Sequence, residues 1–151
     1  SCNLMIALFV FFLSLQSTTL SGKAVKIIDG DTFDLLSNGN LYRVRLNGID
    51  CPERGQAYYR EAKAALGKFC NNRTITVTYR SKDRNGRLLG DVYAANQYIN
   101  LLLVQQGYAW HFKKYSTDVR LAKAETEARA VKKGLWADGN AIAPWVWRKI
   151  K

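Results

Sequence analysis

Two short stretches carry carboxylates at spacings suited to chemistry: IDGDT, with Asp29 and Asp31, and IDCPE, with Asp50 and Glu53. Just ahead of the second, Arg43 and Arg45 alternate with apolar residues in LYRVRLNG, and Arg87 follows later in DRNGR. Each stretch alone has an ordinary explanation. Asp-Gly-Asp is a turn whose Asp accepts backbone N–H groups. Asp-Cys-Pro-Glu is a turn fixed by Pro52 that opens a helix, with Glu53 at its positive end. A salt-bridged surface would account for the arginines. Together they can do more. Hard cations such as Ca²⁺ take carboxylate, carbonyl and water oxygens. Asp31 and Asp50, brought together by adjacent strands, would supply two carboxylates, and the main-chain carbonyl of Cys51 a third oxygen. Water would complete the shell and leave room for a phosphate oxygen. Arg45 and Arg87 can each hold a phosphate by a two-pronged hydrogen bond. Glu53 then remains as a general base for an attacking water.

These residues need elements to position them. Lys23 to Leu36, KAVKIIDGDTFDLL, is rich in β-formers and reads as a strand interrupted at Gly30, followed by the turn SNGN. In Leu41 to Gly48 the apolar set Tyr42, Val44 and Leu46 alternates with Arg43, Arg45 and Asn47. That period of two predicts a half-buried strand with its arginines opposite the apolar face, ended by Pro52. Gln56 to Cys70 places Tyr58, Ala62, Ala65, Leu66 and Phe69 at helical spacing. TITVTY, from Thr74 to Tyr79, is a strand, and Asn85-Gly86 predicts a hairpin into the return strand LLGDVYAA. Asn100 is expected to cap a short helix, LLLVQQ, closed by Gly107. Asp118 is expected to cap a helix to about Lys133, burying Leu121, Ala124, Ala128 and Val131. The tail GLWADGNAIAPWVWRKIK is too irregular to be one element throughout, and its three tryptophans are expected to pack against the domain. About five strands, three of them before the first helix and two helices at the end, suit a small, partly open barrel with helical packing, an α+β domain.

The totals set the boundaries. A chain of 151 residues is one domain with a real core. Lysines and arginines number 23 against 12 acidic residues, a net charge of +11, which favours polyanionic partners. Aromatic residues at 12% and hydrophobic residues at 48% exclude a disordered chain. No basic amphipathic helix supports a membrane-surface protein. The run Leu4–Leu15, LMIALFVFFLSL, is uncharged and shorter than the roughly 20 residues of a membrane span. It reads as the apolar region of a secretory signal over residues 1–20, with cleavage near Ser17 and its basic leading region and initiator Met missing. A buried N-terminal element or an uncleaved anchor are the alternatives. Cys51 and Cys70 remain in residues 21–151, either as buried free thiols or as a disulfide. No C-x-x-C pair or Cys/His cluster suggests zinc. The single histidine, His111, is expected to be a packed neighbour of Trp110 rather than a general acid.

IDGDT, RLNGIDCPE, DRNGR and QGYAW resemble, in order and spacing, the motifs of the staphylococcal (thermo)nuclease family, from about Ser21 to Trp136. The tail resembles the ending of secreted and plasmid-borne bacterial members. The resemblance implies an OB-fold five-stranded β-barrel with three α-helices. It implies that Asp31 and Asp50 ligate Ca²⁺ together with the carbonyl of Cys51, which replaces a threonine of the family prototype. It implies that Glu53 is the catalytic glutamate and that Arg45 and Arg87 are the phosphate-binding arginines. Thr32 matches a residue near the water shell of the metal. Asp29 matches no ligand and shapes the turn; Arg43 matches no role and is a solvated strand residue. The nucleotide-stacking region of the prototype holds two tyrosines, and here HFKKY keeps Tyr115 and has Lys113 in place of the other. Lys113, Tyr115 and Arg84 are therefore the expected substrate contacts, with stacking weakened and phosphate attraction strengthened. The loop after Glu53 is shorter than in the prototype.

The implied protein is a secreted or periplasmic, monomeric, Ca²⁺-dependent nuclease acting on DNA, RNA or both, with no stable membrane association after signal removal. A non-catalytic OB-type module for single-stranded nucleic acid is the alternative. Such a binder has no need of Asp31, Arg45, Asp50, Glu53 and Arg87 together.

Overall fold

The computed structural model describes residues 16–151. The apolar run Leu4–Leu15 lies outside the described residues, and the first strand begins at Thr18, inside the segment assigned to the signal. In chain order the elements are β1 (Thr18–Asp29), β2 (Thr32–Ser37), β3 (Asn40–Leu46), β4 (Ile49–Asp50), α1 (Tyr59–Cys70), β5 (Ile75–Lys82), β6 (Leu88–Ala94), β7 (Gln97–Tyr98), α2 (Ile99–Gln105), β8 (Trp110–His111), α3 (Val119–Ala130), a 3₁₀ turn (Gly134–Ala137) and α4 (Pro144–Ile150).

Five strands close a barrel. β1 pairs antiparallel with β2 and with β5, β2 with β3, and β5 with β6. The ring is closed by a parallel pair between β3 and β6, with Val44 opposite Leu88 and Leu46 opposite Gly90. β1 serves two neighbours in succession: Thr18 to Gly22 pair with β5, and Lys23 to Asp29 with β2. The change of partner falls at Gly22, where a Cβ would collide with the Leu36 carbonyl, so only glycine fits the bend. The interruption read at Gly30 is a hairpin turn, and β1 and β2 are separate strands.

The period-two pattern of β3 holds. Val44 and Leu46 are fully buried, with Phe33, Leu35, Val77 and Val92 from the neighbouring strands. Burying each such side chain contributes about 1.5–3 kcal/mol. α1 begins at Tyr59 rather than Gln56, because Tyr58 adopts a left-handed backbone with φ 68°. It lays Ala62, Ala65 and Leu66 against the barrel core. Asp118 caps α3, its carboxylate accepting from Arg120 N. Val131 lies past the end of that helix and is exposed, while Glu125 takes a place on its buried face.

Asn100 is not a cap. It lies inside α2, fully buried, where its side chain accepts from Val92 N at 3.0 Å and donates to Asn47 O and Gly90 O at 2.9 and 3.1 Å. The amide thereby ties α2 to the barrel, a tertiary use that outweighs its local preference for a helix start.

The tail contains a fourth helix where three were expected. Leu135, Trp136 and Ala143 form a second apolar cluster with Trp110 and Ala128, and Trp145 packs against it. Among the described residues no helix is long and apolar enough to cross a membrane.

Candidate active site

The site grows from the β1–β2 turn. Asp29 Oδ1 accepts the N–H of Asp31 at 3.1 Å, which shapes the turn. Gly30 sits under Cys51 and Ala62: a Cβ there would lie 2.9 Å from Cys51 Cβ and 2.8 Å from Ala62 Cβ. The turn can therefore rest directly on the IDCPE segment. Asp31 Oδ2 accepts from Cys51 N at 2.8 Å, and Oδ1 accepts from the Thr32 hydroxyl at 3.1 Å.

Arg45, near the end of β3, stands between the two motifs. Its Nη1 donates to the carbonyls of Leu46 and Ile49 at 2.6 and 2.8 Å. Its Nε lies 3.3 Å from Asp31 Oδ1, and its Nη2 lies 3.2 Å from Asp50 Oδ1. One guanidinium thus links carboxylates that are 19 positions apart in the chain (50 − 31). Burial works against its charge, but facing Asp31 and Asp50 it titrates above the usual arginine range. Asp50 is held in β4 by pairing with β8, opposite Trp110. Trp110 is itself packed edge-on against Trp136 and Trp145, so the tail's aromatic cluster braces the strand that carries Asp50.

The arginine that sequence reasoning missed comes from the other end of the chain. Arg148, on α4, donates from Nη2 to Asp50 Oδ2 at 2.8 Å and from Nη1 to Asp50 Oδ1 at 3.2 Å. The same Nη1 donates to Glu53 Oε1 at 2.6 Å. Nothing in the spacing of the tail marks Arg148; the only signal is a basic residue in an apolar, tryptophan-rich helix. Gln56 is a second such residue. It accepts from Glu53 N and donates to the Ile142 carbonyl, both at 2.8 Å, joining the loop of Glu53 to the tail.

Asp31, Asp50 and Glu53 thus gather around the guanidinium groups of Arg45 and Arg148, with Asp29 against Asp31, four carboxylates to two cations. Burial, and after it the adjacent Asp31, pushes the Asp29 carboxyl up to about 7. Burial also raises Asp50, although Arg148 and Arg45 pull the other way. A cleft of about 150 Å³ opens beside the cluster, lined by Asp29, Asp31, Cys51 and Glu53 among others. Hard oxygen donors, an excess of negative charge and a polar cleft fit a divalent cation such as Ca²⁺. Among the described residues no three acidic, His or Cys side chains enclose an ion by themselves. Two aspartates with a main-chain carbonyl and water are the candidate donor set. Asp50 does not line that cleft; its carboxylate is buried beside it under Arg45 and Arg148.

The remaining candidates lie further out. Arg87 ends the β5–β6 turn, one residue before the Leu88–Val44 pair, and its Nε donates to Asp83 Oδ2 at 2.7 Å; it makes no ion pair with the cluster. Arg84 is exposed at the tip of that turn. Tyr115 is 66% exposed and packs edge-on against Phe112, which stacks on Trp145 of α4. Lys113 reaches back to Glu125 at 3.4 Å. Arg43 pairs with Asp34 on the barrel surface. His111 is buried, donating its main-chain N–H to Glu125 and placing Nε2 3.1 Å from the Ser116 hydroxyl. Cys51 and Cys70 are both buried free thiols.

Comparison with known proteins gives the same direction. The family model described as "Staphylococcal nuclease homologue" matches residues 43–138. A protein of Escherichia coli O157:H7 named "Uncharacterized endonuclease" is 37% identical over 147 residues, covering 97% of this chain and 96% of that protein. The "Micrococcal nuclease" of Shigella flexneri is 43% identical over 139 residues, covering 85% of this chain and 80% of its own. A "Probable staphylococcal-like nuclease" of Oryza sativa subsp. japonica is 37% identical over 132 residues, 87% of this chain and 35% of that protein.

Proposed function

The chain belongs to the staphylococcal nuclease family, and from that premise we propose that it is a Ca²⁺-dependent nuclease hydrolysing phosphodiester bonds in DNA, RNA or both to 3′-phosphate products. The observation that carries this reading is the sharing of Arg45 by Asp31 and Asp50, with Glu53 joined to the same cluster through Arg148. The apolar run before residue 16 supports export to the periplasm or the medium.

Asp31, Asp50 and the Cys51 carbonyl would hold the cation, which when bound supplies positive charge against the negative charge growing on the phosphate. Glu53 has the part of the base. Its side chain is 40% exposed and so reaches solvent, where it takes a proton from the attacking water. The water oxygen forms a bond to phosphorus and the bond from phosphorus to the 5′-oxygen breaks in line. The 5′-oxygen takes a proton from solvent, and the phosphate stays on the 3′ side. Arg45 turns the Nε–Nη2 edge of its guanidinium toward Asp31 and Asp50. That edge would be the one to give a two-pronged hydrogen bond to a phosphate held at the site. Arg87, whose Nε is held by Asp83, would add a second phosphate contact from the β5–β6 turn through its Nη groups. Neither arginine donates its proton outright, because a guanidinium keeps its proton in proteins. Their contribution is charge placed in advance where the transition state needs it. The net charge of +11 gathers polyanions without reading sequence.

A titration of activity on plasmid DNA and on RNA, first in EGTA and then with Ca²⁺ or Mg²⁺ restored, tests the reading. Cleavage is expected only after Ca²⁺ is added. Full activity in chelator would remove the metal from the mechanism, and binding without cleavage under all conditions would make the protein a non-catalytic module.

A further inference from the structure

Both carboxylate oxygens of Asp50 already accept from arginines. Oδ1 accepts from Arg45 and from Arg148, each at 3.2 Å, and Oδ2 accepts from Arg148 at 2.8 Å. The Asp50 side chain is 2% exposed, so these arginines rather than solvent compensate its charge. Arg45 is anchored below by two main-chain carbonyls. Arg148 differs. Its side chain is 41% exposed and springs from a helix of seven residues. Its hydrogen bonds go to the carboxylates of Asp50 and Glu53 and to no main-chain group.

A divalent cation and a guanidinium spread across both oxygens of a carboxylate compete for it, through charge repulsion and for its lone pairs. We propose that Arg148 competes with the divalent cation for Asp50. Without the cation, Arg148 keeps Asp50 and Glu53 paired and charge-compensated. When the cation binds, Arg148 yields Asp50, and its guanidinium is left beside Glu53 to meet the incoming phosphodiester as a third arginine. This inference rests on the reading of Asp50 as a cation ligand.

A purely structural clamp and a competitor differ in sign. If Arg148 only braced the site, its loss would leave cation binding unchanged or weaker. If it competes, its loss makes every molecule competent to bind, and apparent affinity rises by the inverse of the competent fraction. The test is calorimetric titration of Ca²⁺ into wild type, Arg148→Gln and Arg148→Lys, each first shown to melt cooperatively. The expected result is Ca²⁺ affinity at least about tenfold tighter in Arg148→Gln, with Arg148→Lys between the two because it keeps the charge and loses the fork. A second titration, of inorganic phosphate into the Ca²⁺-saturated proteins, is expected to show several-fold weaker binding in Arg148→Gln. Equal or weaker Ca²⁺ affinity in Arg148→Gln overturns the competition while leaving the cation site standing. No Ca²⁺ binding to any of the three overturns the cation site and the competition with it.

Discussion

The main-chain N–H of Glu53 donates to the side chain of Gln56 at 2.8 Å, three residues ahead in the same loop. That bond, continued from Gln56 to the carbonyl of Ile142, fixes the backbone of the candidate base independently of its own carboxylate. Replacement of the carboxylate leaves the loop in place and removes only the base and its ion pair with Arg148.

Glu53→Gln keeps the shape and the loop and removes the base. Turnover is expected to fall by about 10²–10⁴ with affinity for nucleic acid nearly unchanged. Turnover close to wild type would take Glu53 out of the mechanism.

Arg45→Lys retains a positive charge and loses the fork that spans Asp31, Asp50 and two carbonyls. A loss of at least about tenfold in kcat/KM is expected. Because the Arg45 side chain is only 12% exposed, urea unfolding should also show a stability loss on the order of 1–3 kcal/mol. An unchanged rate would argue against a bidentate phosphate contact at this position.

Asp118→Ala removes the cap of α3, whose carboxylate accepts from Arg120 N at 2.9 Å. The expected cost is about 1 kcal/mol at neutral pH. The Arg120 side chain, against the opposing effect of burial, lowers the Asp118 carboxyl below its ordinary value of 3.8. A lowered acid contributes stability above its unfolded pKa and loses it as pH falls through the folded one. The difference between variant and wild type should therefore shrink below about pH 4. A constant difference across that range would mean that the charge of Asp118 is not what caps the helix.

Cys51 and Cys70 should remain thiols in the folded protein. Burial raises both, Cys51 well above its ordinary value and Cys70 to about 11. Little thiolate is then present at pH 8. Iodoacetamide should label neither in native buffer and both in denaturant, with the same mass before and after reduction. A mass gain of two protons on reduction would identify a disulfide between them.

Much of this architecture is legible in local pattern. The alternation in Leu41 to Leu46 marks β3 because one face of that strand is core and the other carries Arg45. Asn85-Gly86 marks the hairpin because Gly86 must take φ 78°. Asp118 marks α3 because a short acceptor suits exposed backbone N–H groups. What stays hidden depends on distance along the chain. Asn100 spends its amide on the barrel, and no local rule foresees partners as far off as Asn47. Arg148 meets Asp50 across 98 positions, through a tail whose helix is shorter than most and whose tryptophans dominate its composition. The late start of α1 follows from Tyr58 and from the use of Gln56 on Glu53 and Ile142.

The parallel pairing of β3 with β6 also sets a timetable. Arg45 lies opposite Leu89, so the strand that carries it reaches its final place only when segments more than 40 residues apart have met. Helices form from neighbours and can appear early, whereas such remote pairings are slow. On dilution from urea, far-ultraviolet helical signal should return first and nucleolytic competence last. Regained cleavage would then serve as a clock for closure of the ring.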